Sequence, residues 1–408
     1  MNSNEWMKYS LGEICSFISG TAFPRESQNS LNGTIPFIKV SDLNTNGNER
    51  WIDYANNYIS ESEAKKLRAK IHPPFATTFA KIGIALTFNR RRLLRKKTIV
   101  DNNMASAVPN KTILDSIFLY YLLLTIDFNK ISSGTALPYV NLSDLERIPV
   151  DIPPLSTQRR IAEILSALDD KIELNRQTNA TLEAIAQAIF KEWFVDFNFP
   201  GATGEMVESE LGMIPKGWRV GKLGDFGEIV CGKTPSKTNE NFFGGNIPFI
   251  KIPDMHNSVF IVETSDTLTH EGALSQKNKF LPPNSIIVSC IATIGLVSLT
   301  AEKSQTNQQI NAIVPFRDIL THYAYFTAKN LKDQLMELGS GGSATLNVNT
   351  SSFSNIKCVI PSDYVLSSFE FLVKPLFEGI LANQQEILSI AKCRDELLPK
   401  LMNGEIDV

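Results

Sequence analysis

Ile35-Pro36-Phe37-Ile38-Lys39 and Ile247-Pro248-Phe249-Ile250-Lys251 are the same five residues, 212 positions apart. At that offset Leu11-Gly12-Glu13 returns as Leu223-Gly224-Asp225, Gly20 as Gly232, Asp42 as Asp254 and Ile82-Gly83 as Ile294-Gly295. Further on, Gly134, Val140-Asn141, Ile148 and Pro153 return as Gly342, Val348-Asn349, Ile356 and Pro361, at an offset of 208. A repeat of this kind decides the architecture before any single element is assigned. The chain is two copies of one unit.

Each copy has two parts. The first mixes short β-rich runs (Ile35 to Val40; Ile247 to Ile252; Ser285 to Ile291) with Gly, Pro and Asn turns and one apolar helix candidate, Ile113 to Phe128 or Asp318 to Leu338. The second follows Pro154 or Pro361 and carries a helical period. The expected class is α+β, with two similar α/β-type domains separated by two long helices. Its boundaries are 1–153, 154–197, 198–361 and 362–408, related by a pseudo-twofold internal repeat.

In the first helical part Ile161, Leu165, Leu168, Ile172, Asn175, Asn179, Leu182, Ala186, Ile189 and Trp193 step by four and three, the seam of a coiled coil. In the second the same steps land on Phe369, Val373, Leu376, Ile380, Asn383, Ile387, Ile390, Arg394, Leu397 and Leu401. Pro375 interrupts that pattern and predicts a kink or a later start. An asparagine in an apolar seam fixes register, because only another polar group satisfies it. An intramolecular antiparallel pair with Asn175 facing Asn383 is the expectation; solvated asparagines at the seam's edge are the alternative.

The chain has 408 residues, enough for two to three domains, and 43% of them are hydrophobic. Its longest apolar run, Ile117 to Ile126, is short of a membrane span, and MNSNEWMKYS lacks a signal-peptide core. A soluble protein of the cytoplasm is expected, with no membrane partner. The five cysteines are scattered, which argues against a disulfide framework or a cysteine zinc site. The net charge of −3 hides an uneven distribution: residues 1 to 153 carry 18 basic and 14 acidic side chains, and Ala64 to Val100 holds 11 cations and no carboxylate.

Gly227 to Thr234 satisfies G-x-x-x-x-G-K-T, but Pro235 onward carries no helical period to cradle phosphate, and the first copy has no lysine there. His72-Pro73-Pro74-Phe75 is close to the Pro-Pro-aromatic signature of adenine methyltransferases, yet histidine breaks the hydrogen bond that signature makes. A turn before a buried strand fits better, since Leu281-Pro282-Pro283-Asn284 precedes Ser285 in copy two. Gly339 to Ser343 reads as a flexible turn. No metalloprotease, nucleophile-elbow or paired-carboxylate pattern is visible. Binding remains. Arg90, Arg91, Arg92, Arg95, Lys96 and Lys97 put six cations in eight residues, a density suited to a polyanion. Lys39 and Lys251 close the repeated pentapeptide, while Lys233, Lys237, Gln308 and Gln309 offer cations and amides for phosphates and base edges. The rival class is a stand-alone DNA-modifying enzyme, an adenine methyltransferase or an NTP-dependent protein.

Three longer stretches carry a resemblance: Pro153-Pro-Leu-Ser-Thr-Gln-Arg-Arg-Ile-Ala162, Ser209-Glu-Leu-Gly-Met-Ile-Pro-Lys-Gly-Trp218, and Arg394-Asp-Glu-Leu-Leu-Pro-Lys-Leu-Met-Asn-Gly404. With them the chain resembles, over nearly its whole length, the specificity subunit of type I restriction-modification enzymes. The resemblance implies two target-recognition domains that read a bipartite double-stranded DNA target. It also implies two methyltransferase subunits as partners, further motor-nuclease restriction subunits, and no catalytic centre in this chain. S-adenosylmethionine and ATP would then sit only on partner subunits, and no metal is expected. One departure stands out: Val365-Leu-Ser-Ser-Phe-Glu370 replaces the Gln-Arg-Arg-Ile-Ala pattern at the second helix. About 40 helical residues at ~1.5 Å each would make a strut of ~60 Å, a molecular ruler between half-sites.

Overall fold

The computed structural model describes residues 6–134, 136–340 and 347–408. Met1 to Glu5, Gly341 to Ser343 of the glycine-serine run, and with them the repeat position Gly342, lie outside the described residues. The chain forms two units, Met1–Lys171 with Ile390–Val408, and Ile172–Ser389. Each long helix therefore gives one segment to each unit.

In the first unit a five-stranded sheet runs in the order Cys15–Ser19, Met104–Pro109, Thr77–Ala80, Arg91–Leu94, Trp51–Ile52. All neighbours are antiparallel except the last pair. A second sheet orders Tyr58–Ile59, Ile35–Ile38, Thr98–Val100 and Ile71–His72. The second unit repeats the main sheet: Gly227–Cys231, Ile310–Pro315, Ile286–Ser289, Val297–Thr300, Phe260–Ile261, again with only the last pair parallel. Registers agree position by position, Phe79 opposite Arg91 matching Val288 opposite Val297. The apolar helix candidates form Ser116–Thr125 in the first unit and Thr321–Asn330 with Lys332–Gly339 in the second. Phe118, Leu119 and Tyr121 there, like Tyr323, Ala324 and Phe326, belong to the main core of their unit.

Register also corrects the sequence comparison. Ile82 bridges to Tyr139 and Ile291 to Asn347, so Ile291 and not Ile294 is the counterpart of Ile82. Gly227–Cys231 is itself a strand, which removes the phosphate-loop geometry. Phe75 and Asn284 both take positive φ, +67° and +64°, at the end of their Pro-Pro segments, so both copies turn there.

The helices span Leu155–Phe190 and Asp363–Met402, 36 and 40 residues or about 54 and 60 Å. Pro375 does not delay the second one; the helix runs through it, and the residue is exposed. Within each unit the two helices are antiparallel, since Asp169 meets Arg394 in the first and Asn175 meets Glu386 in the second. Ile172 and Ile380 are buried in the seam, and Leu168 and Leu376 are half-buried. The asparagines do not face each other. Asn175 donates to Glu386 Oε2 (2.7 Å) and Asn383 donates to Asn179 Oδ1 (2.8 Å). The real register is one helical turn from the expected one, with a carboxylate accepting from Asn175 and a second asparagine accepting from Asn383.

Each helix start is clamped differently. Gln158, fully buried, accepts from the Asp115 N–H (2.8 Å) and donates to the carbonyls of Ile113 (2.9 Å) and Pro153 (2.8 Å). Leu366 fills the matching place in the second unit, and a bidentate Arg317–Asp363 pair (2.7 and 2.8 Å) holds the helix start. The departure at residues 365–370 thus exchanges one clamp for another. The parallel edge strand is also tied down in both units. Arg50 reaches Ser166 and Asp170, and Gln384 takes both the N–H and the carbonyl of Phe260. In the second unit this takes up the outward backbone groups of Phe260, which then offer no template for a foreign strand.

In the first unit Asp169 is 8% exposed and carries the seam: Tyr121 Oη donates to Oδ2 (2.6 Å) and Arg394 donates to Oδ1 (2.7 Å). Removing one member of a buried pair strands the other, whereas replacing both with apolar residues is nearly neutral. Arg394 also holds Asp395, and it is the buried Tyr121 hydroxyl that loses its carboxylate acceptor, so we expect Asp169→Ala to cost about 3 kcal/mol and Asp169→Leu with Arg394→Leu and Tyr121→Phe to recover most of it. Urea unfolding of the two variants checks this, and an equal loss in both would contradict it.

Candidate nucleic-acid interface

At one end of each main sheet the chain builds the same corner. Gly20 N–H donates to Met104 O (3.0 Å) and Thr21 N–H to Val100 O (2.8 Å); Gly232 donates to Ile310 O (3.0 Å) and Lys233 to Thr306 O (2.9 Å). Asp101 N–H bonds Ile38 O (2.9 Å) as Asn307 N–H bonds Ile250 O (3.1 Å). Lys81 N–H bonds Asn103 O, and Cys290 N–H bonds Gln309 O, at 2.8 Å each. Asp42 and Asp254 accept from the N–H of Lys39 (2.6 Å) and Lys251 (2.8 Å). The repeated glycine is explained here: a Cβ on Gly20 would lie 1.9 Å from Asp101 O, and on Gly232 2.1 Å from Asn307 O. Three loops converge on this frame: 20–23, 81–83 and 101–103 in the first unit, 232–235, 290–295 and 307–309 in the second.

The corner displays polar side chains. Asn102, Asn103 and Lys70 are exposed in the first unit, as are Lys233 and Gln308 in the second. Thr234 donates to Gln308 Oε1 (2.7 Å), and Asn307 donates to Gln309 Oε1 (3.0 Å). Lys81 Nζ donates to Ser19 Oγ (2.9 Å). Burial first, and then the charge of Lys70, hold the Lys81 pKa below a lysine's ordinary value. Two cations that crowd each other favour a bound anion between or beside them.

Of the residues expected from sequence, Lys233, Gln308 and Gln309 lie on the loops of the second unit's corner, and Lys237 is exposed two residues past the first of those loops. Lys39 and Lys251 are half-buried and already engaged, Lys39 with Gln28 Oε1 (2.6 Å) over the Phe23 ring, and Lys251 in an ion pair with Asp266.

The Arg90 to Lys97 run is not one basic loop. Arg91–Leu94 is a strand, and Arg91 stands where the second unit has Val297. It is 1% exposed. Its guanidinium lies 3.5 Å from the Phe128 ring centroid and donates to Ile126 O and Asn89 Oδ1, both at 3.1 Å. Burial pulls its pKa down to about 9 against the opposing pull of Asp127. It stays charged at neutral pH, held by ring and carbonyls and turned into the core. Arg92 is half-buried and donates to Arg91 O (2.8 Å). Arg90 lies on the corner's side of the sheet, over Phe88. Arg95, Lys96 and Lys97 follow the strand's other end, where Arg95 is bidentate to Asp53 (2.6 and 2.8 Å). The sequence shows Lys70 and Lys81 only as two of the 11 cations of Ala64 to Val100, and Asn102 and Asn103 only through an alignment of Asp101-Asn-Asn-Met104 with Asn307-Gln-Gln-Ile310 at an offset of 206.

Among the described residues no group of His, Cys, Asp or Glu is arranged to hold a metal ion, and no helix is long and apolar enough to cross a membrane.

Residues 3–184 and 215–406 match the family model described as the type I restriction modification DNA specificity domain. The chain is 36% identical to the type I restriction enzyme HindI specificity subunit of Haemophilus influenzae, covering 99% of this chain and 100% of that one. It is 29% identical to the MjaIX specificity subunit of Methanocaldococcus jannaschii, over 99% and 94%. A crystal structure of the type I restriction-modification S subunit from M. genitalium shares the fold, with a TM-score of 0.61 at 14% identity and coverage of 98% and 97%. With both repeats matched and full-length relatives of one kind, the chain belongs to the DNA-specificity subunits of type I restriction-modification systems, which are recognition components and not enzymes.

Proposed function

We propose that each unit reads one half of a bipartite duplex target, with unread base pairs between the halves, as part of a type I complex in the cytoplasm. The observation that carries this reading is the corner built twice on one backbone frame with different side chains on it. Two such surfaces on one chain suit two different half-sites. The helical segments would carry two methyltransferase subunits, and restriction subunits would join the complex. S-adenosylmethionine and ATP would be bound by those partners and not by this chain.

Selection from a random duplex pool, using the chain assembled with its methyltransferase partner, should return two specified blocks separated by unspecified positions. One contiguous block would contradict the reading. Exchanging residues 1–153 for the first domain of another family member should change one block only; a change in both, or in neither, counts against it. Isothermal titration of the chain alone with S-adenosylmethionine or ATP should give no heat of binding.

The charges separate into phosphate contacts and structural cations. Each phosphate contact contributes about −0.9 to the slope of log K against log salt. Lys70→Ala with Lys81→Ala should therefore weaken binding and flatten that slope by about 1 to 2. Arg91→Ala should leave the slope unchanged and cost about 2–4 kcal/mol of stability, because it empties a packed site and strips the Ile126 carbonyl of its donor. Salt titrations paired with thermal melts check both; a flattened slope for Arg91→Ala would put that residue on the DNA after all.

A further inference from the structure

The duplicated corner lets the chain serve as its own alignment. Framework positions keep their residues: Gly20 and Gly232, Phe37 and Phe249, Ile38 and Ile250, Asp42 and Asp254. Displayed positions change class, Thr21 to Lys233 and Ala22 to Thr234. Two adjacent positions behave otherwise. Asn102 and Asn103 stand where Gln308 and Gln309 stand, as the shared bonds of Asn103 O to Lys81 and Gln309 O to Cys290 fix. The carboxamide is kept at both places in both units, and only the reach differs, by one methylene. A surface position under no demand drifts among all polar residues; here the hydrogen-bonding group persists while its length varies.

The loop that presents the pair is braced alike in the two units. Asn103 N–H donates to Asp101 Oδ1 (2.9 Å), and Gln309 N–H donates to Asn307 Oδ1 (3.0 Å). In the second unit the amides are also oriented, since the Gln308 and Gln309 carbonyl oxygens accept from Thr234 and Asn307. Each amide NH2 group and one carbonyl lone pair remain for a ligand. A carboxamide sets a donor beside an acceptor, the complement of N7 and the N6 amino group of adenine in the major groove.

We propose that Asn102 with Asn103, and Gln308 with Gln309, are the base-reading side chains of the two units, and that each meets an adenine in its half-site. The proposal rests on the bipartite reading above and adds which atoms do the discriminating. In the complex with the methyltransferase partner, binding is measured on the selected duplex and on copies with each base pair replaced in turn. Gln308→Ala with Gln309→Ala should reduce the preference for adenine by about ten- to a hundredfold at one or two positions of one half-site, leaving the other half-site untouched. Asn102→Ala with Asn103→Ala should do the same in the opposite half. Gln308→Asn with Gln309→Asn keeps the amides but shortens them, and should weaken the same positions and no others, whether or not the alanine variant folds well. Half-sites without adenine, or alanine and asparagine variants that keep the full base preference, overturn the assignment while the bipartite reading stands. A wild-type complex that selects no bipartite site sinks that reading itself.

Discussion

Everything displayed at the two corners depends on one close approach of backbone to backbone. The first strand must end against the loop that follows the second sheet, so near that no side chain fits at Gly20 or Gly232. Main-chain atoms make that contact, so it is indifferent to the identity of the neighbouring side chains. Thr21 and Lys233 hang from the same amide hydrogen bond although one is a short hydroxyl and the other a long cation. A frame of this kind tolerates substitution at the displayed positions without losing its geometry, and a subunit whose task is to read sequence requires that tolerance.

The helices follow the opposite logic. Their seam is not uniformly apolar: Asp169 with Arg394 and Tyr121, Asn175 with Glu386, and Asn179 with Asn383 interrupt it. Asp169 and Asn175 are buried, so any register that takes away Arg394 and Glu386 must supply other polar partners for them. An all-leucine seam would be more adhesive and less particular. The clamps at the helix starts, Gln158 in one unit and Arg317 with Asp363 in the other, serve the same end with different chemistry. Both leave the helix entering its unit directly after the two-stranded ladder, Met7–Ser10 with Pro149–Ile152 or Arg219–Lys222 with Lys357–Ile360.

The repeat, the α+β class and the long antiparallel helices were legible because identical residues at fixed spacing and a four-three period survive without knowledge of partners. Asparagines in the seam were legible as register devices, but their partners were not. Whether Asn175 meets Asn383 or Glu386 depends on where both helices begin, and the sequence leaves each start uncertain by a turn. The corner was half legible. Gln308 and Gln309 were visible as polar residues, while Asn102 and Asn103 were hidden by insertions that move the repeat offset from 212 to 206 and then to 208.

Arg91 shows why charge density in a sequence is a poor map of surface potential. Six cations in eight residues read as one polyanion site, yet a strand sends alternate side chains to opposite faces, and one of those faces is a core. A cation there survives only if the core supplies an aromatic face and carbonyl oxygens, and Phe128 with Ile126 supplies both. Arg95 is then neutralised by Asp53, which is remote in sequence and adjacent through the parallel edge strand Trp51–Ile52. Lys70 and Lys81, 11 residues apart, are by contrast close enough for the charge of one to act on the other, and only the fold brings them together.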